Sequence, residues 1–407
     1  MYRPTPGKPN GSSSRMTEQQ KPLRAIIVEQ DPAYQAAIRR LLQRVVPHWH
    51  CHYLSDAAAA RELLHNEPID LLLTERLGPS DSGETLLEFA CQHSPVTIRV
   101  LMSADNSDAM LLATTHCAHL VLGKPFTEQQ VTEVFQRVEL LCNGPFTAHS
   151  RYQLGQINTL PIQRSNYQTL MKLLSDEESS TVAVASSLAR EAPLAAKLLQ
   201  IANSAYLGFS RQTLDLAEVV TRLGRSMIKA VAFAVQLHSQ YDGKIRPDLH
   251  QRLLDDSFEL ATMASQLAKT QQSGAHLAEQ AFMAGLMQVL GPLVLLSAMP
   301  HHNQQLTEED MFQEGIPDHC LISAYLMLLW GFETDVCDAV MYRLSLNEVP
   351  QPTLLQTIMH LSSYVIVFRR RRQDEELPVP CWTALQQFQL TDTFSHLQQS
   401  GPGVLNE

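Results

Sequence analysis

The sequence predicts an α/β domain followed by an all-α domain, and three observations carry that expectation. Between residues 23 and 141, short apolar strands alternate with amphipathic helical runs, the pattern of a doubly wound parallel sheet. From Asn166 to about Arg369 strand signal is nearly absent and helical periods dominate. That second half is punctuated by Pro193, Gly208, Gly224, Gly291, Pro317 and Gly331, which mark breaks between helices.

Residues 1–20 are rich in Pro, Gly, Ser and Gln, hold no apolar periodicity and read as a disordered tail, with Met16 as an alternative start. Residues 21–142 form the first domain. Its candidate strands are Leu23 to Val28, Trp49 to Leu54, Leu71 to Thr74, Val96 to Met102 and His119 to Leu122. Helical runs such as Pro32 to Val45 and Ala57 to His65 follow them. Residues 143–158, opening on Asn-Gly-Pro-Phe, read as a linker. Residues 159–365 form the helical domain. Residues 366–407 are a C-terminal extension with a Pro-containing loop and one helix, Trp382 to Gln398.

A chain of 407 residues exceeds one ordinary core, so two or three domains are expected. Its 44% hydrophobic and 18% charged residues suit a globular protein. No apolar run reaches the roughly 18 residues of a membrane span, and no signal peptide is evident. The seven cysteines are scattered and lack a Cys-x-x-Cys, so reduced thiols in a cytoplasm are expected. A net charge of −11 argues against a broad phosphate-binding surface, and so against nucleic acid as a partner.

The stretch Asp70-Leu-Leu-Leu-Thr-Glu75-Arg-Leu-Gly-Pro79-Ser-Asp-Ser-Gly83 reads as a buried parallel strand and a Pro/Gly loop. It resembles the central strand and loop of two-component receiver domains, which are flavodoxin-like (βα)5 folds. There a phosphate-accepting Asp stands where this chain has Glu75, with the Pro and Gly at the spacings seen here. The resemblance carries further residue by residue. The pair of metal-binding acids aligns with Glu29 and Gln30, with Asp31 beside them, so one carboxylate has become an amide. The phosphoryl-tracking hydroxyl aligns with Ser103 and the lysine with Lys124, followed by Pro125. The switch aromatic aligns with Val121. Phosphoryl transfer needs a carboxylate at the right depth and a metal to spread charge. Glu75 is one methylene too long, and a Glu75–Lys124 ion pair is expected. Two readings stay open: Glu75 mimics a phosphorylated acceptor, or the domain is a packing or dimerisation module.

A second resemblance covers residues 156–365. Leu160-Pro161, the string Ala-Asn203-Ser204-Ala-Tyr206-Leu-Gly208 and the helix ending at Leu-Gly224 look like the HDOD domain, a helical relative of the HD phosphohydrolases. Ala281 to Gly291 matches the helix that carries the His-Asp metal pair in the enzymes, and Ala324 to Phe332 matches another. The His-Asp pair aligns with Gln288 and Val289, the upstream histidine with Asp256, and the downstream one with about Tyr342. Valine cannot bind a metal, so the resemblance implies no hydrolase activity and no resident cofactor or metal.

Other residues have competing readings. His48, His50, Cys51 and His52 have metal-ligand chemistry, and on a strand His50 and His52 share a face. Asp318, His319 and His360 read as ordinary helix residues. The arginines Arg369 to Arg372 stand at a helix end, Asn203-Ser204 suits a cap, and Met283, Met287 and Met327 fall at core spacing. The expected function is regulation through contact with other signalling proteins, with a homodimer open and no catalytic residues. A residual HD-type hydrolase and a small-molecule or nucleotide-binding module are the alternatives.

Overall fold

A computed structural model of the chain describes residues 22–75, 83–103, 118–146, 151–152, 154–155, 165–176, 178–202, 213–239, 241, 243–271, 274–298, 315–370 and 380–399. The expected tail, Pro79, the Asn203-Ser204 string and Arg371-Arg372 lie outside them. So do the side chains of Val121, Arg369 and Arg370.

Five parallel strands form the sheet: β1 (Arg24–Val28), β2 (His50–Leu54), β3 (Leu71–Glu75), β4 (Ile98–Ser103) and β5 (Leu120–Gly123), in the order β2-β1-β3-β4-β5. Between them run α1 (Pro32–Val45), α2 (Ala57–Asn66) and α3 (Gly83–His93); α4 (Glu128–Asn143) follows β5. The strand order is that of flavodoxin-like sheets. Strand β3 extends one residue further than expected and takes in Glu75, while β4 starts at Ile98 because Thr97 turns back to bond Ser94 and Ile69.

Alternation along each strand sorts side chains to the two faces. Ile26, Val28, Leu72 and Leu101 join Ala60, Leu64, Leu86 and Leu87 of α2 and α3 in one apolar layer. Ala25, Ile27, Leu71, Leu73 and Val100 face Ile38 and Leu42 of α1 and Phe135 and Val138 of α4. This second layer does not stop at the domain edge. It continues through Phe146 and Leu154 into the helical half, where the Phe146 ring meets Tyr325 edge-on at 5.0 Å.

The helical half comprises α5 (Ser165–Ser175), α6 (Thr181–Leu188), α7 (Ala192–Ala202), α8 (Leu216–Ser239), α9 (Pro247–Thr270), α10 (Gly274–Met287), α11 (Leu290–Ala298), α12 (Asp318–Leu329), α13 (Thr334–Met341) and α14 (Leu354–Arg370). Two short helices, α15 (Trp382–Gln387) and α16 (Thr391–Gln399), close the described chain. Gly224 breaks α8 at a φ of 74°. Two expected helices are in fact pairs. The run 281–291 breaks at Gln288 and Val289, where Ser323 draws in the Gly291 N–H and the Gln288 carbonyl. The run 382–398 breaks at Gln389, whose φ is 55°.

One stretch, His276–Ser297, is long and apolar enough to cross a membrane by composition alone, which corrects the expectation of none. It is divided between α10 and α11, and 67% of its most apolar window is buried in the bundle. Periodicity of a core helix and apolarity of a span are the same signal in a helix buried all round.

Candidate functional site

The strand register brings the receiver-type residues together. Thr74 pairs with Val28, Glu75 with Met102, and Ser103 with Gly123. The carboxyl ends of β1, β3, β4 and β5 therefore finish level, and the residues that follow converge on one crevice, where open parallel sheets place their ligand sites.

Lys124 stands at the centre of that crevice. Its ammonium donates to Glu29 Oε2 at 2.5 Å and to Glu75 Oε2 at 2.9 Å, and lies 4.6 Å from the Tyr34 ring centroid. Glu75 Oε1 accepts the Gln30 N–H at 2.5 Å, and Glu29 Oε1 accepts the Asp31 N–H at 3.1 Å. The side chains of Glu29, Lys124 and Glu75 are 1%, 14% and 17% exposed, so solvent screens these pairs little. Ser103 is buried at the same level, and its carbonyl accepts the Lys124 N–H at 2.6 Å. Asp31 turns away from the cluster: its carboxylate caps α1, accepting from Ala33 and Tyr34.

Two carboxylates share one ammonium, and their environments push them apart. Burial raises the Glu29 carboxyl above the usual carboxylate range, in spite of Lys124. Burial also raises Glu75, but the Gln30 N–H and Lys124 outweigh it and hold Glu75 below that range. Burial lowers Lys124, yet its two carboxylate partners raise it overall. Two of the ammonium's three protons are thus taken up by the protein's own acids, with the Tyr34 ring beside it.

The positions aligned with the HD metal site lie on or just beyond α9, α10 and α13, of which α9 packs against α10 and α10 against α13. Asp256 is half-buried on α9, Tyr342 follows α13, and Val289 is fully buried in the turn between α10 and α11. Among the described residues no three His, Cys, Asp or Glu side chains are grouped to hold a metal ion. That holds for His48, His50, Cys51 and His52 too: the His50 and His52 rings meet edge-on at 4.8 Å, while His48 turns to Glu139. His360 is buried; Nδ1 bonds the Arg343 carbonyl at 2.9 Å and Nε2 accepts the Cys381 N–H at 3.1 Å. With Nδ1 bearing the proton, this histidine is neutral, and burial lowers its pKa. His319 is buried, Asp318 exposed, Met287 and Met327 fully buried and Met283 half-buried.

Asp338 on α13 went unnoticed in the sequence. Burial and then Asp335 push its pKa up to about 6. A carboxyl raised above its unfolded value of about 3.9 costs stability above pH 6 and regains it as pH falls through 6 towards 4. Asp338→Asn is therefore expected to stabilise the helical half by ~1–2 kcal/mol at pH 8, after allowing for its partial exposure. Chemical unfolding at pH 8 and pH 4 checks this, since the gain should vanish at the lower pH.

Arg137 on α4 was also missed. Trp330, Gly331 and Phe332 end α12 in a Schellman motif, with Phe332 N–H on the Met327 carbonyl, Gly331 N–H on that of Leu328, and Gly331 at a φ of 87°. Arg137 Nη1 donates to the carbonyls of Leu328 at 3.1 Å and Phe332 at 2.9 Å. An arginine of the α/β half thus completes a helix end of the helical half. Arg137→Ala should cost ~1.5–3 kcal/mol, the range for hydrogen bonds from a charged group. Limited proteolysis should then cut residues 143–158 faster.

Residues 160–345 match the family model of the HDOD domain. An uncharacterized protein of Treponema pallidum (strain Nichols) is 23% identical over 207 residues, 48% of this chain, and the match spans 40% of that protein's length. The signal receiver domain of an HD domain-containing protein from Pseudomonas fluorescens Pf-5 has 22% identity and a TM-score of 0.26, over 29% of this chain and 86% of that one. A candidate metal-dependent phosphohydrolase from Shewanella amazonensis SB2B has 17% identity and a TM-score of 0.42, over 67% of this chain and 99% of its own.

Proposed function

We propose that this chain, an HDOD domain behind a receiver-like α/β unit, is a signalling regulator that works by contact with other proteins and not by phosphoryl chemistry. The observation that carries this reading is Lys124 held between two acids. Glu75 stands at the acceptor position with its carboxylate bonded to Lys124 and to the Gln30 N–H, and Glu29 takes a further bond from the same ammonium. An incoming phosphoryl group would have to compete with both acids for this ammonium. Gln30 in place of an acid leaves a poor seat for a hard cation. The α/β unit is then held in one charge state, and the helical domain presents a surface whose partners are other proteins. Val289, fully buried where the HD enzymes place a metal-ligating acid, supports the absence of hydrolysis in that half.

Incubating the full chain with a labelled small-molecule phosphodonor and Mg²⁺ tests the first half of the reading. No label is expected on the wild type, whereas Glu75→Asp restores the shorter acceptor. Stable label on wild-type Glu75 would refute it. Incubation with cyclic dinucleotides and Mn²⁺ tests the second half, and chelator-sensitive turnover is the adverse result. Comparing the oligomeric state of Glu75→Gln, Glu75→Asp and wild type separates the two roles of Glu75. A phosphate mimic predicts a change with charge, and a packing module predicts none.

A further inference from the structure

Two adjoining cavities lie where α4 of the α/β half meets α10 and α13 of the helical half. The larger, a cleft of about 870 Å³, has Glu133, Glu139 and Leu140 on one wall and His276, Glu333 and Asp335 on the other. The smaller, a pit of about 340 Å³, is lined by Met227, Ala230, Phe282, Met283, Phe332 and Val336. Glu333 and His276 border both, and Glu279 adds an exposed carboxylate to the pit.

The charge of this surface is one-sided. Among the described residues Glu133, Glu139, Glu279, Glu333 and Asp335 line the two cavities, against one arginine, Arg137, and no lysine. Arg137 Nη1 is turned to the Leu328 and Phe332 carbonyls, and Glu133 acts on it without an ion pair. Neutral groups bond three of the acids: Gln129 lies 2.9 Å from Glu133, Gln280 2.7 Å from Glu333, and Trp49 2.7 Å from Glu139. Two histidines complete the set, His48 on Glu139 at 2.6 Å and His276 at 3.9 Å from Glu333. All five acids except Glu139 are exposed, so their field reaches solvent.

The pit makes a different demand. Ala230, Phe282 and Val336 are buried, whereas Met283 and Phe332 are half-buried, and Leu140 on the cleft is 42% exposed. Methionine side chains adapt to the shape of what they seat. A metal ion fits neither cavity, since among the described residues no three His, Cys, Asp or Glu side chains are grouped to hold one. A polyamine would answer the acids and leave the pit empty. A neutral apolar molecule would fill the pit and leave the acids without counter-charge. Nucleic acid and anionic membrane surfaces are repelled. One chemistry answers both demands: a polypeptide segment that sets single large apolar side chains among lysines and arginines.

We infer that the cleft and pit together are the docking site for a basic segment of a partner protein, with a leucine, phenylalanine or methionine side chain in the pit and lysines or arginines against Glu279, Glu333 and Asp335. This docking site presupposes that the chain regulates by contact, and it gives that contact a chemistry. Because the walls come from both halves, the occupant bridges α4 to α10 and α13 beside the Arg137 tie.

Fluorescence anisotropy of dye-labelled peptides on the full chain tests it. The probe alternates Lys-Arg pairs with single Leu or Phe residues. One control replaces Leu and Phe by Ser, and the other replaces Lys and Arg by Glu. The probe is expected to bind about tenfold tighter than either control, and to weaken with added salt. Glu333→Gln with Asp335→Asn should weaken it about tenfold. Glu62→Gln with Glu88→Gln removes the same charge from exposed positions on α2 and α3, across the sheet from α4, and should leave binding unchanged. Met283→Gln should remove the preference for Leu and Phe over Ser. Bound probe should also slow hydrogen exchange at residues 136–144, 276–283 and 331–336. Equal binding of the Ser control, or equal losses from the two acid pairs, would mean diffuse attraction to a chain of net charge −11 and would overturn the inference. Absence of binding at low salt would overturn it too. Regulation by contact would survive those results, since it falls instead on stable label at Glu75 or on chelator-sensitive turnover.

Discussion

Lys124→Met is expected to destabilise the α/β domain by ~3–5 kcal/mol at pH 7, the range for removing one partner from a buried ionic group. The loss leaves Glu29 and Glu75 facing each other without a counter-ion, at 1% and 17% side-chain exposure. The pH dependence carries a signature. In the wild type Glu75 is held below its ordinary value, so its contribution is present above the unfolded carboxylate pKa and fades as pH falls through the folded value. Lys124 is raised, so its contribution is full below the unfolded lysine pKa and is lost only as pH rises through the folded value. Glu29, raised by burial, opposes them and is relieved by acid. Removing Lys124 makes both carboxyls easier to protonate in the folded state than in the unfolded one. The penalty should therefore be largest at neutral pH and shrink as pH falls through the raised folded values towards the unfolded glutamate value of about 4.3. Adding Glu29→Gln to Lys124→Met should recover part of the loss. Hydrogen exchange of the β1 and β3 amides, at pH 5 and pH 7, measures both effects. A pH-independent penalty would mean that Lys124 acts by packing alone.

Gly291→Ala should destabilise the helical domain by at least ~3 kcal/mol, at or beyond the upper end of ordinary overpacking. A Cβ there would sit 1.9 Å from the His319 carbonyl oxygen and 2.7 Å from its carbon. Backbone cannot yield as a side-chain tip does. The contact also seats Ser323, whose Oγ accepts the Gly291 N–H at 2.8 Å and lies 2.8 Å from the Gln288 carbonyl and 2.9 Å from that of His319. Pushing α11 off α12 would break this set at the turn between α10 and α11. The expected readout is a large fall in melting temperature confined to the helical half, with β1 to β5 amide protection retained. A Gly291→Ala chain that melts with the wild type would show that α11 shifts freely.

Much of the α/β unit was legible because its periods are strong. Largely apolar strands of four to six residues, four of them followed by a described helix, leave few other arrangements. Asp31 before Pro32 marks the start of α1, and Thr127 with Gln130 forms the capping box of α4. The helical breaks at Gly224 and Gly331 were readable as glycines that take a positive φ. The breaks at Gln288 and Gln389 were not: Ser323, 35 positions away, holds the Gln288 carbonyl, and Gln389 takes the left-handed place of a Schellman helix end that glycine usually fills. Arg99 went unread although it interrupts the apolar strand β4. It is fully buried, hydrogen-bonded to His119 and to the Gly155 carbonyl at 3.2 Å, and so ties residue 155 against the sheet. Those two partners lie 20 and 56 positions away, beyond any local pattern, although Arg99 also bonds the nearby Pro95 and Thr97 carbonyls.

The amino-acid sequence alone determined the α/β half ahead of the helical half, the parallel sheet, the helical bundle and which side chains stand at positions 30, 75, 288 and 289, because side-chain identity and short-range period are properties of the chain. Only the tertiary structure decided that Lys124 is shared between Glu29 and Glu75, that Asp31 serves a helix end, and that Arg137 joins the domains. Those outcomes depend on strand register and on which backbone carbonyls remain unpaired once the helices pack, and neither exists before the chain has folded.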